Sequence, residues 1–427
     1  MYDQEFLTNT NCLKNISKIL IVVDSINVND SSGSKANVAL ITNLNQAGFQ
    51  LKVYHYTQKE IHLADMKCIS ILEKKGNGIY LLSRLQRLFS RWTGINLNPF
   101  LEGFFGFSFT FFNDTYSVVK AVRKEVNFEP DLVITLSKGS SFRPHYALLK
   151  FPQWHSKWMA YIHDPYPFHY YPRPYNWIQP GYKQKENFFL AVSNKAKYSA
   201  FPSLLLKEWM GSYFPDFLKT GVVIPHQLME YALSDSKLPA YFKEGAFTIL
   251  HAGTLMKQRN PKFLLDAYQS FLKRNPEAIK DTQLLLIGRG NYHKATIKQY
   301  ESRISGLTFI NQNVPFKEVL GLQNQASVNV ILESKSEISP FLPAKFPHCV
   351  IANKAILLLG PYYSESKRLL GNDYPYWAEA DDSIGIEKLI TDMYLLWKEK
   401  RSRLELNRDD LKDYLSMGQL KKSIEKL

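Results

Sequence analysis

The stretch that determines the fold covers residues 338–361 and reads ISPFLPAKFPHCVIANKAILLLGP. It begins with a loop that contains Pro340 and Pro343, continues as a short helix and ends in the apolar run 355–359. A loop, a helix and a buried strand in this order form half of a βαβ unit. Lys345 lies where the helix begins. Because a helix N-terminus has free N–H groups, a lysine there predicts an anion-binding site.

This pattern resembles the donor-binding motif of GT-B glycosyltransferases of the family-4 type. Their motif has Pro-x-Lys, a helix with a glutamate, and then a small residue, Gly, Lys and Pro before an apolar strand. Here Pro343 and Lys345 match the opening, residues 352–356 (ANKAI) stand at the end, and His348 takes the place of the glutamate. The resemblance implies that Lys345 is catalytic. The residues of this stretch that it assigns to substrate binding are Ser339, Phe341, Pro343 and His348.

Length and charge limit the classes of protein that the chain can belong to. A chain of 427 residues is long enough for two domains, each with its own core. The net charge of +14 and the pI of about 9.3 predict an anionic partner, which means nucleotide phosphates, lipid headgroups or nucleic acid. Because no motif typical of nucleic-acid binding accompanies the charge, we expect phosphates and a membrane surface, and no nucleic acid.

The cysteines and acidic residues give no sign of a metal or of disulfides. Cys12, Cys68 and Cys349 are scattered, without the spacing of a disulfide framework or a zinc site. No Asp-x-Asp sequence, which other glycosyltransferase folds use to hold a metal, occurs in the chain. The N-terminus is polar and does not read as a signal peptide. We therefore expect no metal, no cofactor and a cytoplasmic location, with peripheral contact to the inner membrane left open.

The beginning of the chain predicts a first βαβ unit. Residues 18–24 (KILIVVD) read as a buried strand, 25–34 as a polar loop, 35–47 as a helix and 50–56 as a second strand. The loop lacks GxGxxG, so a dinucleotide-binding fingerprint is missing. The resemblance implies that Gly33 lies near the donor diphosphate and the acceptor, although a glycine here is also ordinary turn chemistry.

Residues 79–92 (IYLLSRLQRLFSRW) predict an amphipathic helix. Arg84, Arg87 and Arg91 recur at spacings of three and four, which places them on one side and the apolar residues on the other. The apolar run 99–112 follows and is too short to span a membrane. One interpretation is a face that lies on an anionic membrane leaflet. The alternative is a helix packed on its own domain with solvated arginines.

The first half of the chain contains further apolar runs that read as strands. We predict these strands at residues 131–136 (DLVITL), 157–162 (KWMAYI), 188–193 (FFLAVS) and 222–225 (VVIP). The polar segment 228–245 is the predicted hinge between the domains. The first domain then covers residues 1–228 and the second covers 229–403.

The loop at residues 163–175 (HDPYPFHYYPRPY) follows a predicted strand and is too rich in proline for a helix. Ligands bind at the carboxyl ends of strands in parallel α/β sheets, so we expect a polar and aromatic pocket with His163 and Asp164. The resemblance implies that His163 hydrogen-bonds the donor sugar. Two alternatives remain: a metal held by His163, Asp164 and His169, or a purely structural histidine.

The second half begins with a predicted strand at residues 247–251 and a loop with three cations, GTLMKQRNPK at 253–262. A helix is predicted to start near the proline of this loop. This loop forms a second anion site that faces Lys345. The resemblance implies that Arg259 holds the donor diphosphate, since a guanidinium can grip phosphate with two hydrogen bonds. Lys257 and Lys262 either share that task or are solvated.

Further strands are predicted at residues 283–287, 307–311, 314–315 and 328–332. The resemblance assigns Gly288, Arg289 and Val314 to substrate binding, because the family passes its nucleobase along this part of the backbone. Residues 404–427 are long enough for the C-terminal helix that crosses back to the first domain in this family.

Together these observations predict an α/β protein of the GT-B class, with two Rossmann-like domains facing across a central cleft. The implied function is transfer of a hexose from an NDP-sugar, with UDP the expected nucleotide, to a glycan or polyprenyl-linked acceptor in envelope or capsular polysaccharide synthesis. The implied reaction needs no metal and retains the anomeric configuration. Its predicted catalytic residues are His163, Arg259 and Lys345.

Three rival functions remain on the sequence alone. A sugar-nucleotide epimerase or hydrolase of the same fold would bind the same donor without an acceptor. A nicotinamide-dependent oxidoreductase shares the βαβ units but is disfavoured by the missing GxGxxG. A non-catalytic protein that binds sugar nucleotides or a membrane surface is compatible with the departures at His348, Asn353 and Ala355.

Overall fold

The computed structural model describes residues 16–63, 66–139, 141–174, 177–228 and 238–427. Cys12, Tyr175 and half of the predicted hinge (residues 229–237) lie outside these ranges. The described residues form two parallel sheets, each covered by helices on its faces.

The first sheet has seven parallel strands in the order β3-β2-β1-β4-β5-β6-β7. Its centre consists of apolar runs that are buried on both faces, as parallel sheets require. The strand order reverses between β1 and β4, which places a crevice at their carboxyl ends. The strands are β1 (Lys18–Val23), β2 (Gln50–His55), β3 (Lys67–Ser70), β4 (Leu132–Leu136), β5 (Trp158–Tyr161), β6 (Tyr198–Phe201) and β7 (Gly221–Val223).

The helices of the first half connect these strands. They are α1 (Ser32–Gln46), α2 (Gly78–Thr93), α3 (Asn98–Phe105), α4 (Phe109–Val122), α5 (Arg143–Leu148), α6 (Tyr182–Lys195), α7 (Leu204–Tyr213) and α8 (Asp216–Thr220), with 3₁₀ turns at Pro152–Lys157 and Phe168–Tyr170. Ser31 caps α1, because its side chain accepts a hydrogen bond from the Ser34 backbone N–H.

The predicted strand at residues 188–193 is wrong. This segment forms the second half of α6, and the strand of this region is β6. Phe188, Phe189 and Val192 are buried, and their spacing matches one face of a helix. A short apolar run fits both a buried strand and a buried helical face, and the residues before it extend the helix.

The second sheet has six parallel strands in the order β10-β9-β8-β11-β13-β15, and a separate two-stranded ribbon pairs β12 with β14. The strands are β8 (Phe247–Ala252), β9 (Thr282–Ile287), β10 (Leu307–Ile310), β11 (Val328–Leu332), β12 (Ile338–Ser339), β13 (Ala355–Leu359), β14 (Tyr363–Ser364) and β15 (Trp377–Ala378). The predicted strand at 314–315 is wrong, because Pro315 caps the helix that follows it.

The helices of the second half are α9 (Lys262–Arg274), α10 (Lys294–Glu301), α11 (Phe316–Gln325), α12 (Phe346–Ile351), α13 (Glu365–Leu370), α14 (Ser383–Glu399), α15 (Asp409–Tyr414) and α16 (Met417–Glu425). Shorter 3₁₀ turns occur at Pro276–Lys280, Asn291–His293 and Arg401–Leu404. None of the described helices is both long and apolar enough to cross a bilayer.

The chain ends against the first sheet. Residues 404–427 contain two short helices, α15 and α16, rather than one long helix, because Ser416 interrupts the helix and caps α16. Leu420 and Ile424 of α16 are buried in the core that α1 forms with the first sheet. The C-terminal segment therefore returns to the first half.

The two halves meet through polar contacts beside the facing strand ends. The Ser203 hydroxyl donates to the Pro340 carbonyl at 2.5 Å. The backbone N–H groups of Leu204 and Leu205 donate to the two carboxylate oxygens of Glu365, each at 3.3 Å. In the same region, the charge of Arg259, after β8, acts on Asp164, after β5, and on Glu333, after β11, so these three loops line one cleft.

Candidate active site

Arg259 lies at the centre of the cleft. It follows β8 and is half-buried, and its Nε atom is buried without a hydrogen-bond partner in the described part of the chain. Its positive charge is close enough to lower the pKa of Asp164, Glu333 and Lys345. Arg259 therefore connects groups from both halves of the molecule.

Lys345 lies beside Arg259 at the N-terminus of α12. Its Nζ atom donates to His251 Nδ1 at 3.1 Å and to the Val330 carbonyl at 3.2 Å. Burial lowers the pKa of Lys345 to about 7, and the charge of Arg259 acts in the same direction. Among the described residues, no carboxylate lies within salt-bridge distance of Lys345 or Arg259. A bound anion would supply that missing negative charge.

Two glycines let the backbone pass closely beneath Lys345. Gly288 has φ +129, and a Cβ there would lie 2.4 Å from the Gly253 carbonyl oxygen. A Cβ on Gly253 would lie 3.4 Å from Lys345 Nζ. Since any larger residue at 288 would collide with the neighbouring backbone, the close contact between the loops after β8 and β9 requires glycine.

The sequence analysis missed Glu333, which follows β11 and is buried in the same place. The Ser366 hydroxyl donates to Glu333 Oε1 at 2.7 Å, and the hydroxyls of Ser339 and Ser364 also contact the carboxyl group. Burial raises the pKa of Glu333 to about 7, while these hydroxyls and Arg259 oppose the shift. A carboxyl group with this pKa changes its charge near neutral pH.

His163 enters the cleft from the first half, directly after β5. The Asn37 amide nitrogen donates to the Ser137 carbonyl at 2.9 Å, so Asn37 Oδ1 accepts from His163 Nε2, also at 2.9 Å. His163 is buried, and its Nδ1 atom has no partner in the described structure. Burial holds its pKa well below the usual value, and the nearby His226 and His145 add to this effect. The neutral ring therefore offers Nδ1 as a hydrogen-bond acceptor.

Asp164 continues the loop towards the second half. Burial raises the pKa of Asp164 to about 6, and the charge of Arg259 opposes that shift across the cleft. His169 points elsewhere, because its Nε2 atom contacts Glu186 Oε1 at 2.7 Å. The described residues contain no group of three or more His, Cys, Asp or Glu side chains that could hold a metal ion. The metal alternative for this loop therefore lacks a ligand set.

A third cation, Lys35, reaches the cleft from α1 and was also missed by the sequence analysis. Its Nζ atom lies 4.5 Å from the ring centroid of Phe316, and the His348 ring packs edge-on against the same phenylalanine at 5.0 Å. Burial lowers the pKa of His348 to about 4, and the charge of Lys35 adds to this. His348 therefore cannot act as the negatively charged glutamate that the family motif has at this place.

The remaining predicted residues of the second half lie around this centre. Lys257 and Arg289 are exposed, and Lys262 is paired with Asp266 at 2.6 Å on the surface of α9. Val314 lies in the loop before α11 and packs on a small apolar cluster. The last three predicted residues lie in the loop before α12. Ser339 contacts Glu333, and the Phe341 ring lies 5.7 Å from the Tyr171 ring. The Pro343 carbonyl accepts a hydrogen bond from the Phe346 backbone N–H.

Gly33 lies in the first turn of α1, at the crevice between β1 and β4. A Cβ there would lie 3.6 Å from the Gly139 backbone nitrogen, which is an ordinary contact. Beside this crevice, Arg143 binds Asp114 at 2.8 Å and lies 3.7 Å from Asp24. Burial raises the pKa of Asp24 to about 6, and Arg143 opposes this shift. The charges at the edge of the first sheet are therefore paired with each other.

Comparison with known proteins identifies the fold. No family model matches the sequence, and no curated protein matches it. A structure of the trehalose-6-phosphate synthase OtsA matches with a TM-score of 0.65 at 10% identity over 96% of this chain and 98% of that chain. An E. coli structure described as trehalose-6-phosphate bound with UDP-2-fluoro glucose matches with a TM-score of 0.64 at 9% identity over 96% and 98%. A glycosyltransferase from Rickettsia africae matches with a TM-score of 0.60 at 11% identity over 96% and 97%.

At such low identity these likenesses establish the fold and nothing finer. The chain has the GT-B fold, with two Rossmann-like domains that face each other across a central cleft. The fold class predicted from the sequence is confirmed.

Proposed function

We propose that the chain is a glycosyltransferase that moves a hexose from a UDP-sugar to an acceptor hydroxyl without a metal. The observation that carries the proposal is the pair of cations, Arg259 and Lys345, at the carboxyl edge of the second sheet. In the described structure neither has a carboxylate salt bridge, and the charge of Arg259 acts on Asp164, which follows His163 in the loop after β5. A nucleoside diphosphate supplies the charge that this pair lacks.

The geometry fits cleavage of a bond to a diphosphate leaving group. Breaking the glycosidic bond develops negative charge on that diphosphate, and fixed cations in a cleft stabilise the charge without rearranging. His163 Nδ1 accepts a hydrogen bond from a hydroxyl of the donor sugar and so orients it. We further propose that the reaction retains the anomeric configuration and that the leaving phosphate takes the proton of the acceptor hydroxyl.

The structural neighbours support the choice of donor. One of them is described with UDP-2-fluoro glucose, and others are named UDP-forming trehalose-phosphate synthases. We also propose that the chain is related to the family-4 glycosyltransferases, because the residues around Pro343 and Lys345 resemble their donor-binding motif. It also includes a glycan or polyprenyl-linked acceptor for envelope or capsule synthesis on the cytoplasmic side of a membrane. An anionic membrane surface reached through Arg84, Arg87 and Arg91 belongs to the same proposal.

The test is to incubate the purified full chain with individual UDP-hexoses and to measure free UDP and the released sugar by mass spectrometry. A glycosyltransferase releases UDP slowly alone and faster with a lipid or glycan extract that contains its acceptor. An epimerase or hydrolase releases UDP at the same rate in both cases. If no UDP-hexose releases UDP, and none raises the melting temperature at millimolar concentration, the proposal is contradicted. This result would favour a protein that does not process sugar nucleotides.

A further inference from the structure

Helices α2 and α3 expose an unusual amount of apolar surface. In α2, Leu81, Leu85 and Trp92 are 59%, 53% and 88% exposed. In α3, Phe100 and Phe104 are 65% and 67% exposed, and their rings contact each other at 5.0 Å. We call this region, residues 79–105, the α2–α3 surface. Single exposed apolar residues are normal, but several large ones on each of two consecutive helices indicate an interaction site.

Helix α2 packs on the first domain through its polar side and exposes its apolar side, whereas a surface helix usually does the opposite. Its buried residues are polar: Ser83 contacts the Thr110 hydroxyl at 2.9 Å, and Gln86 donates to Asn98. Trp92 and the leucines lie on the opposite side and face away from the domain. Helix α2 therefore packs on its own domain with Arg84 and Arg91 solvated, as one interpretation of the sequence has it, but it does so through its polar side.

The charges beside this apolar stripe are positive and largely unpaired. Arg84 and Arg91 are exposed and have no carboxylate within salt-bridge distance in the described ranges, while Arg87 lies 3.6 Å from Glu73. Glu102, the acidic residue of α3, is paired with Lys185 at 2.8 Å. A cavity of about 590 Å³ lies beside the helix and is lined in part by Arg87 and Arg91. It offers room for an anionic group beside these two arginines.

We propose that the α2–α3 surface docks on an anionic lipid bilayer. The leucines, Trp92 and the phenylalanines enter the boundary between headgroups and acyl chains, and the arginines reach lipid phosphates. A second copy of the chain fits less well, because a symmetric contact would bring the same arginines together without carboxylates to neutralise them. An anionic bilayer neutralises them and buries the apolar stripe at once.

The surface is continuous with the loop that leaves the cleft after His163. A Cβ on Gly181 would lie 2.0 Å from the Glu102 carbonyl, and the Gln184 side chain donates to the Phe104 carbonyl at 3.1 Å. The beginning of α6 therefore packs directly under α3. If the proposed function holds, a docked molecule would present its cleft to an acceptor whose lipid part stays in the bilayer.

The experiment is co-sedimentation of the full chain with vesicles, either pure phosphatidylcholine or phosphatidylcholine and phosphatidylglycerol in equal parts. We expect binding to the anionic vesicles that weakens with salt. Arg84→Gln combined with Arg91→Gln should weaken this binding about 30-fold, since each arginine near the surface contributes about 1 kcal/mol. Trp92→Ser should weaken it at least about tenfold. Both variants should fold normally, because these side chains are exposed.

The matched controls are Arg303→Gln and Ile384→Ser, which change exposed residues of the second domain and should leave vesicle binding unchanged. Absence of binding to anionic vesicles, or binding that the α2–α3 variants do not weaken, would overturn the proposal. A Trp92-dependent dimer without vesicle binding would overturn it in favour of a contact between copies. UDP-sugar cleavage in the same preparations separates failure of the docking surface from failure of the proposed function.

Discussion

The carboxyl edges of the two sheets differ in how their charged side chains are paired. At the edge of the first sheet, the carboxylates of Asp24 and Asp114 are neutralised by Arg143. At the edge of the second, Arg259 and Lys345 lie close together, and no described carboxylate forms an ion pair with either. The charges at the first edge thus form ion pairs within the fold, whereas the two cations at the second edge have no such partner in the described structure. The comparison predicts that similar substitutions at the two edges have different effects.

Arg259→Ala should have the largest effect, and on activity rather than stability. Under the proposed function, this cation stabilises charge that grows on the leaving diphosphate, so we expect kcat/KM with a UDP-hexose to fall about 100- to 1,000-fold. The free energy of unfolding should change by less than about 0.5 kcal/mol, since Arg259 has no ion pair within the described fold. Steady-state kinetics and urea unfolding of the same sample measure both quantities.

Arg303→Ala, which removes an exposed arginine of the second domain, is the control and should change neither quantity. Loss of stability in Arg259→Ala with unchanged kinetics would show that the two edges do not differ as described.

Arg143→Ala should have the converse effect. It leaves Asp24 and Asp114 without their cation, and removal of one partner of a buried ion pair typically costs about 3 kcal/mol. We expect the first-domain transition to move to lower urea concentration, while UDP binding measured by calorimetry stays within about twofold. Arg143→Lys, which keeps the charge, should recover part of the loss. Weakened UDP binding in a folded Arg143→Ala protein would mean that the first edge also holds the donor.

Glu333→Gln should affect stability, and the size of this effect depends on pH. The pKa of Glu333 is about 7 in the folded protein, above the ordinary value of 4.5. Below pH 4.5 the wild-type carboxyl is protonated in both the folded and the unfolded protein, so it does not lower the free energy of unfolding. Above about pH 7 it is charged in both states, and the burial of this charge then lowers the free energy of unfolding by the full amount. The variant should gain about 3 kcal/mol of stability at pH 8 and almost none at pH 4. Urea unfolding at the two pH values measures this.

Glu337→Gln is the matched control, because Glu337 is exposed on the loop that follows β11. It should show no difference between the two pH values. An equal gain for Glu333→Gln at both pH values would show that the Glu333 carboxyl is not the group that titrates.

The fold could be predicted from the sequence because local signals agree with it. Apolar runs such as 18–24 and 355–359 lie between turn residues and form central strands of the two sheets. The positions of Arg259 and Lys345 beside each other also follow from local patterns, since each lies in a loop just before a helix. Such loops meet at one edge of any parallel sheet.

The sequence did not determine features that depend on distant parts of the chain. Residues 188–193 have the same composition as a buried strand, and the preceding turn of helix decides the outcome. Glu333 reads as a surface residue after a strand, and its burial depends on Ser366 on a later helix. The orientation of α2 is also undetermined, because periodicity separates its polar and apolar sides without showing which side packs on α4.

The contact between Glu365 and α7 constrains how the halves can move. Glu365 is fully buried and forms an ion pair with Arg368 at 2.7 Å. Its carboxylate also accepts hydrogen bonds from the backbone N–H groups of Leu204 and Leu205 in the other half. A direct separation of the two halves would break these hydrogen bonds, and each buried group left without a partner costs roughly 1–3 kcal/mol. A rotation of the two halves that keeps these hydrogen bonds would cost less than such a separation, so we expect any hinge motion between the halves to turn about Glu365.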